Sequence, residues 1–252
     1  MTALAEQTQV HTRLLKFTLE ADDSRAYWQR MNGAGAPTPQ EAFEGYWFGA
    51  RSMLRVEMML RTLGDRFARF PQALAVLHNW PGMPAHTRAV ICHWHIQLTD
   101  PVYRAFTGGY LLQRREGLRH EITRDLVIAW LDQMWPGRWT PVTRRKFASN
   151  LCTSAHSAGL LASPRDPRPL AFPRVEDDAL TYLLYLLRSV QMRGTPLDNP
   201  YLASVGLTGP HLEDRLRALP ALAFRRQSDL VDFGWRHPDL RAWSAATHGA
   251  QT

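Results

Sequence analysis

Apolar positions along this chain recur mostly at helical spacing. Asp22 and Asp23 can cap a first helix reaching about residue 32, where Gly33, Ala34 and Gly35 stop it. Thr38, Pro39, Gln40 and Glu41 read as a capping box with proline at the first helical position, opening a short helix that fades near Gly45. A third helix is predicted over 50–70, because Met53, Val56, Leu60, Leu63, Phe67 and Phe70 alternate three and four apart before Pro71. The same reading predicts helices over 72–78, 85–98, 101–115 (capped by Asp100) and 120–134. Trp135, Pro136 and Gly137 break the pattern, and Thr140 with Pro141 opens a helix lasting to Gly159. Residues 160–162 and 170–172 read as short strands around the proline-rich tip 163–169. An apolar helix over 175–193, a loop over 194–209 and a short helix over 210–219 follow, and the tail beyond Ala221 is ambiguous. The expected fold is therefore mainly α, with two helix-turn-helix-like modules, the second open to a wing made by the short β-hairpin. A division into an N-terminal helical region, 1–117, and a C-terminal one, 118–252, is drawn without a linker to mark it, so one compact unit stays open.

Bulk properties narrow the class. A chain of 252 residues that is 45% hydrophobic can bury a sizeable core. The longest apolar run, 180–187, is interrupted by Thr181 and too short to span a bilayer, so no membrane partner is expected. Residues 1–17 hold no continuous apolar stretch of the secretory kind. Cys92 and Cys152 are the only cysteines and form no CxxC pair, which points to a reducing, cytoplasmic setting.

Charge changes the picture. The formal net charge is +7, and 101–175 alone carries twelve basic against five acidic residues, so the remainder of the chain balances. A localised excess marks a place where an anion could bind. Twenty-eight of the thirty basic residues are Arg, with only Lys16 and Lys146 as Lys, a skew that genome composition can produce. Position must therefore carry the argument.

On a helical projection of 141–158, Phe147, Leu151, Ala155 and Ala158 share one side. The other side collects Arg145, Lys146, Ser149, Asn150, Thr153, His156 and Ser157, with no carboxylate. A solvated helix face usually mixes acids with bases. Long cations beside short hydrogen-bonding groups instead suit a helix in the major groove of DNA. Arg138 and Arg144 near the start of this helix, and Arg165 and Arg168 on the hairpin, are placed as phosphate contacts. The bland alternative is a surface helix lacking acids by chance, followed by a proline loop. The N-terminal trio of helices offers Arg51, Ser52 and Arg55 from the start of its third helix, although Glu57 and Asp65 dilute the charge there.

Other signals are weaker. Cys92 and His95 are three apart on a helix and could share a metal, but His93 points elsewhere, and packing through Ile91, Trp94 and Leu98 explains the segment better. Glu176, Asp177 and Asp178 could hold Mg²⁺, yet acids in a first helical turn also favour the dipole. No phosphate-loop, dinucleotide, nucleophile-elbow or zinc-protease motif occurs. No cofactor, metal, small-molecule substrate or catalytic residue is assigned, and the chain is read as a non-enzyme.

The segment Trp139, Thr140, Pro141, Val142, Thr143, Arg144, Arg145, Lys146 and Phe147, ending in Ser157, Ala158, Gly159, Leu160 and Leu161, resembles the W-S-x-x-T-x-x-K-x … A-G-L-L signature of the BrxA family. These are small accessory proteins of BREX (bacteriophage exclusion) systems. The similarity runs over about 12–186, with Arg51, Phe67 and Pro71 in fitting order and nothing matched after about Gly194. It implies an all-α protein with two helix-turn-helix motifs that binds double-stranded DNA without catalysis, beside other BREX-system proteins in phage defence. By the same resemblance Thr143, Arg145 and Lys146 carry over to the second motif, and Arg51 and Arg55 to the first. Likenesses drawn between family members and an RNA-binding antitermination factor keep RNA as an alternative target. A third reading is a protein–protein adaptor of the defence complex.

Overall fold

The structure is a computed structural model and describes residues 4–31, 37–228 and 230–249. It is mainly helical, as the hydrophobic periodicity requires. In chain order the helices are α1 (Ala21–Arg30), α2 (Pro39–Glu44), α3 (Met53–Leu63), α4 (Pro71–Asn79), α5 (Ala85–Thr99), α6 (Pro101–Ala105) and α7 (Leu111–Glu116). They continue with α8 (Arg124–Met134), α9 (Pro141–Ser157), α10 (Asp177–Arg188), α11 (Pro200–Ser204), α12 (Gly209–Ala218) and α13 (Leu240–His248). The strands are short: β1 (Leu4–Ala5), β2 (Glu121–Ile122), β3 (Arg168–Pro169), β4 (Val190–Gln191), β5 (Leu222–Gln227) and β6 (Leu230–Trp235). No helix among the described residues is long and apolar enough to cross a membrane.

Helix α5 is the axis of the molecule. Every residue over 90–99 is buried, and α1, α9 and α10 pack around it. The polar side chains of its second half are paired inside. His95 Nδ1 lies 3.0 Å from the Arg66 carbonyl and Nε2 lies 2.7 Å from the Tyr182 hydroxyl. A carbonyl only accepts, so Nδ1 carries the proton and Nε2 accepts from Tyr182. Likewise Ser204 donates to the Tyr201 carbonyl, so His93 Nε2 donates to Ser204 Oγ at 2.9 Å and Nδ1 accepts from Tyr103 at 3.0 Å. Desolvation by burial pushes the His93 imidazolium down to about 3 and that of His95 down to about 4. Both rings are neutral structural groups, and no cluster of three or more metal-ligating side chains occurs among the described residues.

Several boundaries differ from the expectation. Helix α1 begins at Ala21, so Asp22 and Asp23 lie in its first turn and Glu20, at φ 49°, is the N-cap. The glycine stop at Gly33 and Gly35 lies outside the described residues. The Thr38–Glu41 capping box is present, with the Thr38 backbone N–H donating to Glu41 Oε2 at 2.8 Å. Helix α3 stops at Leu63 and passes into a π-helical turn, Gly64–Ala68. A second π turn, Phe106–Tyr110, splits the helix expected over 101–115. There a Cβ on Gly108 would sit 2.4 Å from the Pro200 Cβ, so the glycine permits close approach of α11. The helix expected from 120 starts only at Arg124, capped by Thr123, because Glu121 and Ile122 are strand β2. The helix expected over 175–193 ends at Arg188, and Val190 pairs in parallel with Leu4. The 194–209 loop contains α11, capped by Asn199, and the ambiguous tail is the β5–β6 hairpin followed by α13.

The expected hairpin after α9 is present and gains a third strand. Leu161 faces Leu170, with Ala162 N–H donating to the Pro169 carbonyl and Ala171 N–H to the Leu160 carbonyl, both at 2.9 Å. On the other side β3 pairs antiparallel with β2, and Leu170 N–H donates to the His120 carbonyl at 2.8 Å. Arg114 donates to the Glu121 carbonyl and Arg115 to the Ala171 carbonyl, which ties α7 to this sheet.

Candidate nucleic-acid interface

Thr140 caps α9 by accepting the Thr143 N–H at 3.3 Å, and Pro141 occupies the first helical position. Trp130, Trp135, Trp139 and Phe147 form a ladder of rings 5.0–5.7 Å apart through the α8–α9 turn, which fixes the angle at which α9 leaves it. Phe147, Ala148, Leu151, Cys152, Ser154 and Ala155 are buried. Arg145, Lys146, Thr153 and Ser157 are exposed, and Ser149, Asn150 and His156 are half-buried around them. The projected polar side is therefore an outer side, and it carries no carboxylate.

The cations assigned from sequence divide into two groups. Arg144 pairs with Asp132 and so binds α9 to α8. Arg168 pairs with Asp166, donates to the Pro164 carbonyl at 3.1 Å and is only 12% exposed, so it stiffens the hairpin tip. Asp166 also accepts the Arg124 N–H at 3.0 Å, joining that tip to the start of α8. Arg138 donates to the Val10 carbonyl at 3.3 Å, and Arg55 donates to the Lys16 carbonyl at 2.9 Å. By contrast Arg51, Arg145, Lys146 and Arg165 are exposed, and their side chains form no ion pair or hydrogen bond among the described residues. Thr143 shares a 3.0 Å hydrogen bond with Thr140 and belongs to the cap, as does Ser52, which accepts the Arg55 N–H and caps α3.

An unforeseen element lies between the two candidate surfaces. The N-terminal strap ends in a 3₁₀ turn, Arg13–Leu15, that packs on α9. Asn150, expected at a DNA groove, donates to the Leu14 carbonyl at 2.8 Å. Arg66, fully buried over the Phe17 ring, donates to the Phe17 and Leu19 carbonyls at 2.8 and 3.2 Å. Hence the strap is bolted to α9 on one side and, through Arg55 and Arg66, to α3 and the π turn after it on the other. Between them runs an open groove of about 510 Å³, bordered by Lys16, Ser52, Arg55, Glu57, Arg61 and Lys146. The starts of α3 and α9, far apart in sequence, thus face one space. Neither Lys16 nor Arg61 was expected at a DNA contact, Arg61 reading from sequence as a solvated arginine. One signal was available: in a chain with two lysines, both border this groove.

Comparison with known proteins adds the fold and nothing finer. No family model matches the chain, and no curated protein matches it. A solved structure of an uncharacterized protein from Magnetospirillum magneticum is similar, with a TM-score of 0.56 at 13% identity, covering 72% of this chain and 98% of that one. At this identity the likeness concerns the fold alone.

Proposed function

We propose that the chain is a non-enzymatic, double-stranded DNA-binding protein whose reading element is α9. One observation carries this: the outer side of α9 presents Arg145 and Lys146, unpaired among the described residues, beside Ser149 and Thr153, without a carboxylate to repel phosphate. The surroundings support it. Strand β2, helices α8 and α9, then the strand pair around 161 and 168–170 follow in the order of a winged helix-turn-helix, with exposed Arg165 at the wing tip. The resemblance to BrxA proteins makes phage defence, alongside other BREX-system proteins, the proposed setting, and the cytoplasm the proposed place.

Replacing Arg145 and Lys146 together by Ala tests the reading. Duplex affinity falls about tenfold or more, and discrimination between duplex sequences relaxes as two groove contacts go. The unfolding midpoint stays put, because neither side chain has a partner among the described residues. Unchanged affinity in the double variant sinks the assignment. Competition by structured RNA separates the antitermination reading, since the A-form major groove does not admit a helix.

A further inference from the structure

We infer that the groove between α3 and α9 is a seat for one strand of the duplex backbone, so that both candidate surfaces grip a single DNA through one continuous site that includes Lys16 and Arg61. The inference rests on the duplex-binding reading and extends it to residues that reading does not use. Three observations converge. The groove is bordered by four cations, Lys16, Arg55, Arg61 and Lys146, against one carboxylate, Glu57. Lys16, Arg61 and Lys146 are exposed, and their side chains form no ion pair or hydrogen bond among the described residues, so their charge is directed at solvent. The lining also includes Leu54, which is 77% exposed, and half-buried Met58, apolar groups against which deoxyribose can lie.

The geometry is also pre-set. Asn150 holds the Leu14 carbonyl from the α9 side and Arg55 holds the Lys16 carbonyl from the α3 side, at 2.8 and 2.9 Å. These bonds fix the separation of Lys146 from Lys16 and Arg61 before any ligand arrives, which reduces the ordering cost of binding. Charge complementarity selects the occupant: a row of cations beside apolar groups suits a phosphodiester chain. Lys16, a compact charge without planar geometry, suits backbone contact. Glu57 is the one carboxylate on the groove border.

The experiment is a salt titration of duplex binding by the full chain and three variants, Lys16→Gln with Arg61→Gln, Glu57→Gln, and Arg145→Ala. Loss of both groove cations weakens binding about fivefold and lowers the salt slope by about 2. Glu57→Gln tightens binding about twofold, a gain that misfolding cannot imitate. If both groove variants bind like the parent while Arg145→Ala weakens, the groove is excluded and the α9 reading survives. If the groove variants respond and Arg145→Ala does not, the groove stands and the α9 face loses its role. A parent chain that binds no duplex overturns both.

Discussion

Helix α5 carries His93, His95, Gln97 and Thr99 toward its end, and helix α9 carries Arg145, Lys146, Ser149 and Thr153 along its outer side. Both helices break the simple two-sided pattern of a surface helix. Toward the end of α5 each of these groups meets an internal partner: His93 meets Tyr103 and Ser204, His95 meets Tyr182 and Arg66, Gln97 meets Thr107 at 2.9 Å, and the Thr99 hydroxyl meets the His95 carbonyl at 2.7 Å, whereas the buried Thr87 hydroxyl near the start of the helix meets none among the described residues. In α9 the two cations and Thr153 meet none among the described residues, and Ser149 only bonds back to the Arg145 carbonyl at 3.0 Å. A polar side chain on a helix is evidence for a ligand only when the protein itself does not satisfy it. Asn150 shows the rule inside α9: it shares the outer side, yet its amide is spent on the strap.

Substitution should separate the two helices most sharply at His95. His95→Ala leaves the Tyr182 hydroxyl and the Arg66 carbonyl without a buried partner and opens a cavity beside Phe67, whose ring centroid is 4.7 Å away. The expected loss is about 3–5 kcal/mol of unfolding free energy, read by denaturant titration. A loss comparable to that of Arg145→Ala, which should lie within about 0.5 kcal/mol of zero, would erase the contrast.

Acid should act on α5 next. Both buried imidazoles titrate far below the ordinary histidine range, near 3 for His93 and near 4 for His95, with desolvation the leading cause and the nearby Arg66 charge adding to it for His95. In the unfolded chain they take up protons near pH 6.5. The unfolded state therefore binds more protons between that pH and the folded values, so their contribution to stability is complete above about pH 6.5 and declines as pH falls. Each ring adds at most about 1.4 kcal/mol per pH unit to that decline. Buried Asp100 works in the opposite sense, because burial raises its carboxyl toward the neutral form. Stability curves of His93→Gln and the parent, compared from pH 7 to pH 4.5, should show the shallower slope in the variant. Parallel curves would mean that His93 is not held neutral.

How far the sequence could be read follows the same division. Local signals were legible: the Thr38–Glu41 box, the Thr140–Pro141 start of α9 and its buried Phe147, Leu151 and Ala155 are all where the pattern places them. Long-range pairing was not. Glu121 and Ile122 continue a helical pattern in sequence, and they become a strand only because Arg168 and Pro169 arrive beside them. The tail hairpin alternates over too few residues to stand out from the helical background, and its inner residues, Leu222 and Phe224, are recognisable only once α12 packs against them. The candidate site was half legible. Counting charges found the segment, and helical projection found Arg145 and Lys146. Neither could show that Arg144 and Arg168 pair with acids in the same module, nor that the strap and α3 bring Lys16 and Arg61 to the same groove as Lys146.

The smallest effect refines the comparison within one residue type. Thr99 and Thr153 both sit on helices, and Thr→Val preserves shape while removing the hydroxyl. Thr99 is 5% exposed and its hydroxyl donates to the His95 carbonyl, so Thr99→Val should cost about 1 kcal/mol. Thr153 is exposed with no internal bond among the described residues, so Thr153→Val should change stability by less than about 0.5 kcal/mol. Differential scanning calorimetry of the two variants resolves a gap of this size. Equal shifts would show that the Thr153 hydroxyl is engaged within the chain, and one of the four α9 side chains proposed to meet a duplex would then have to be withdrawn.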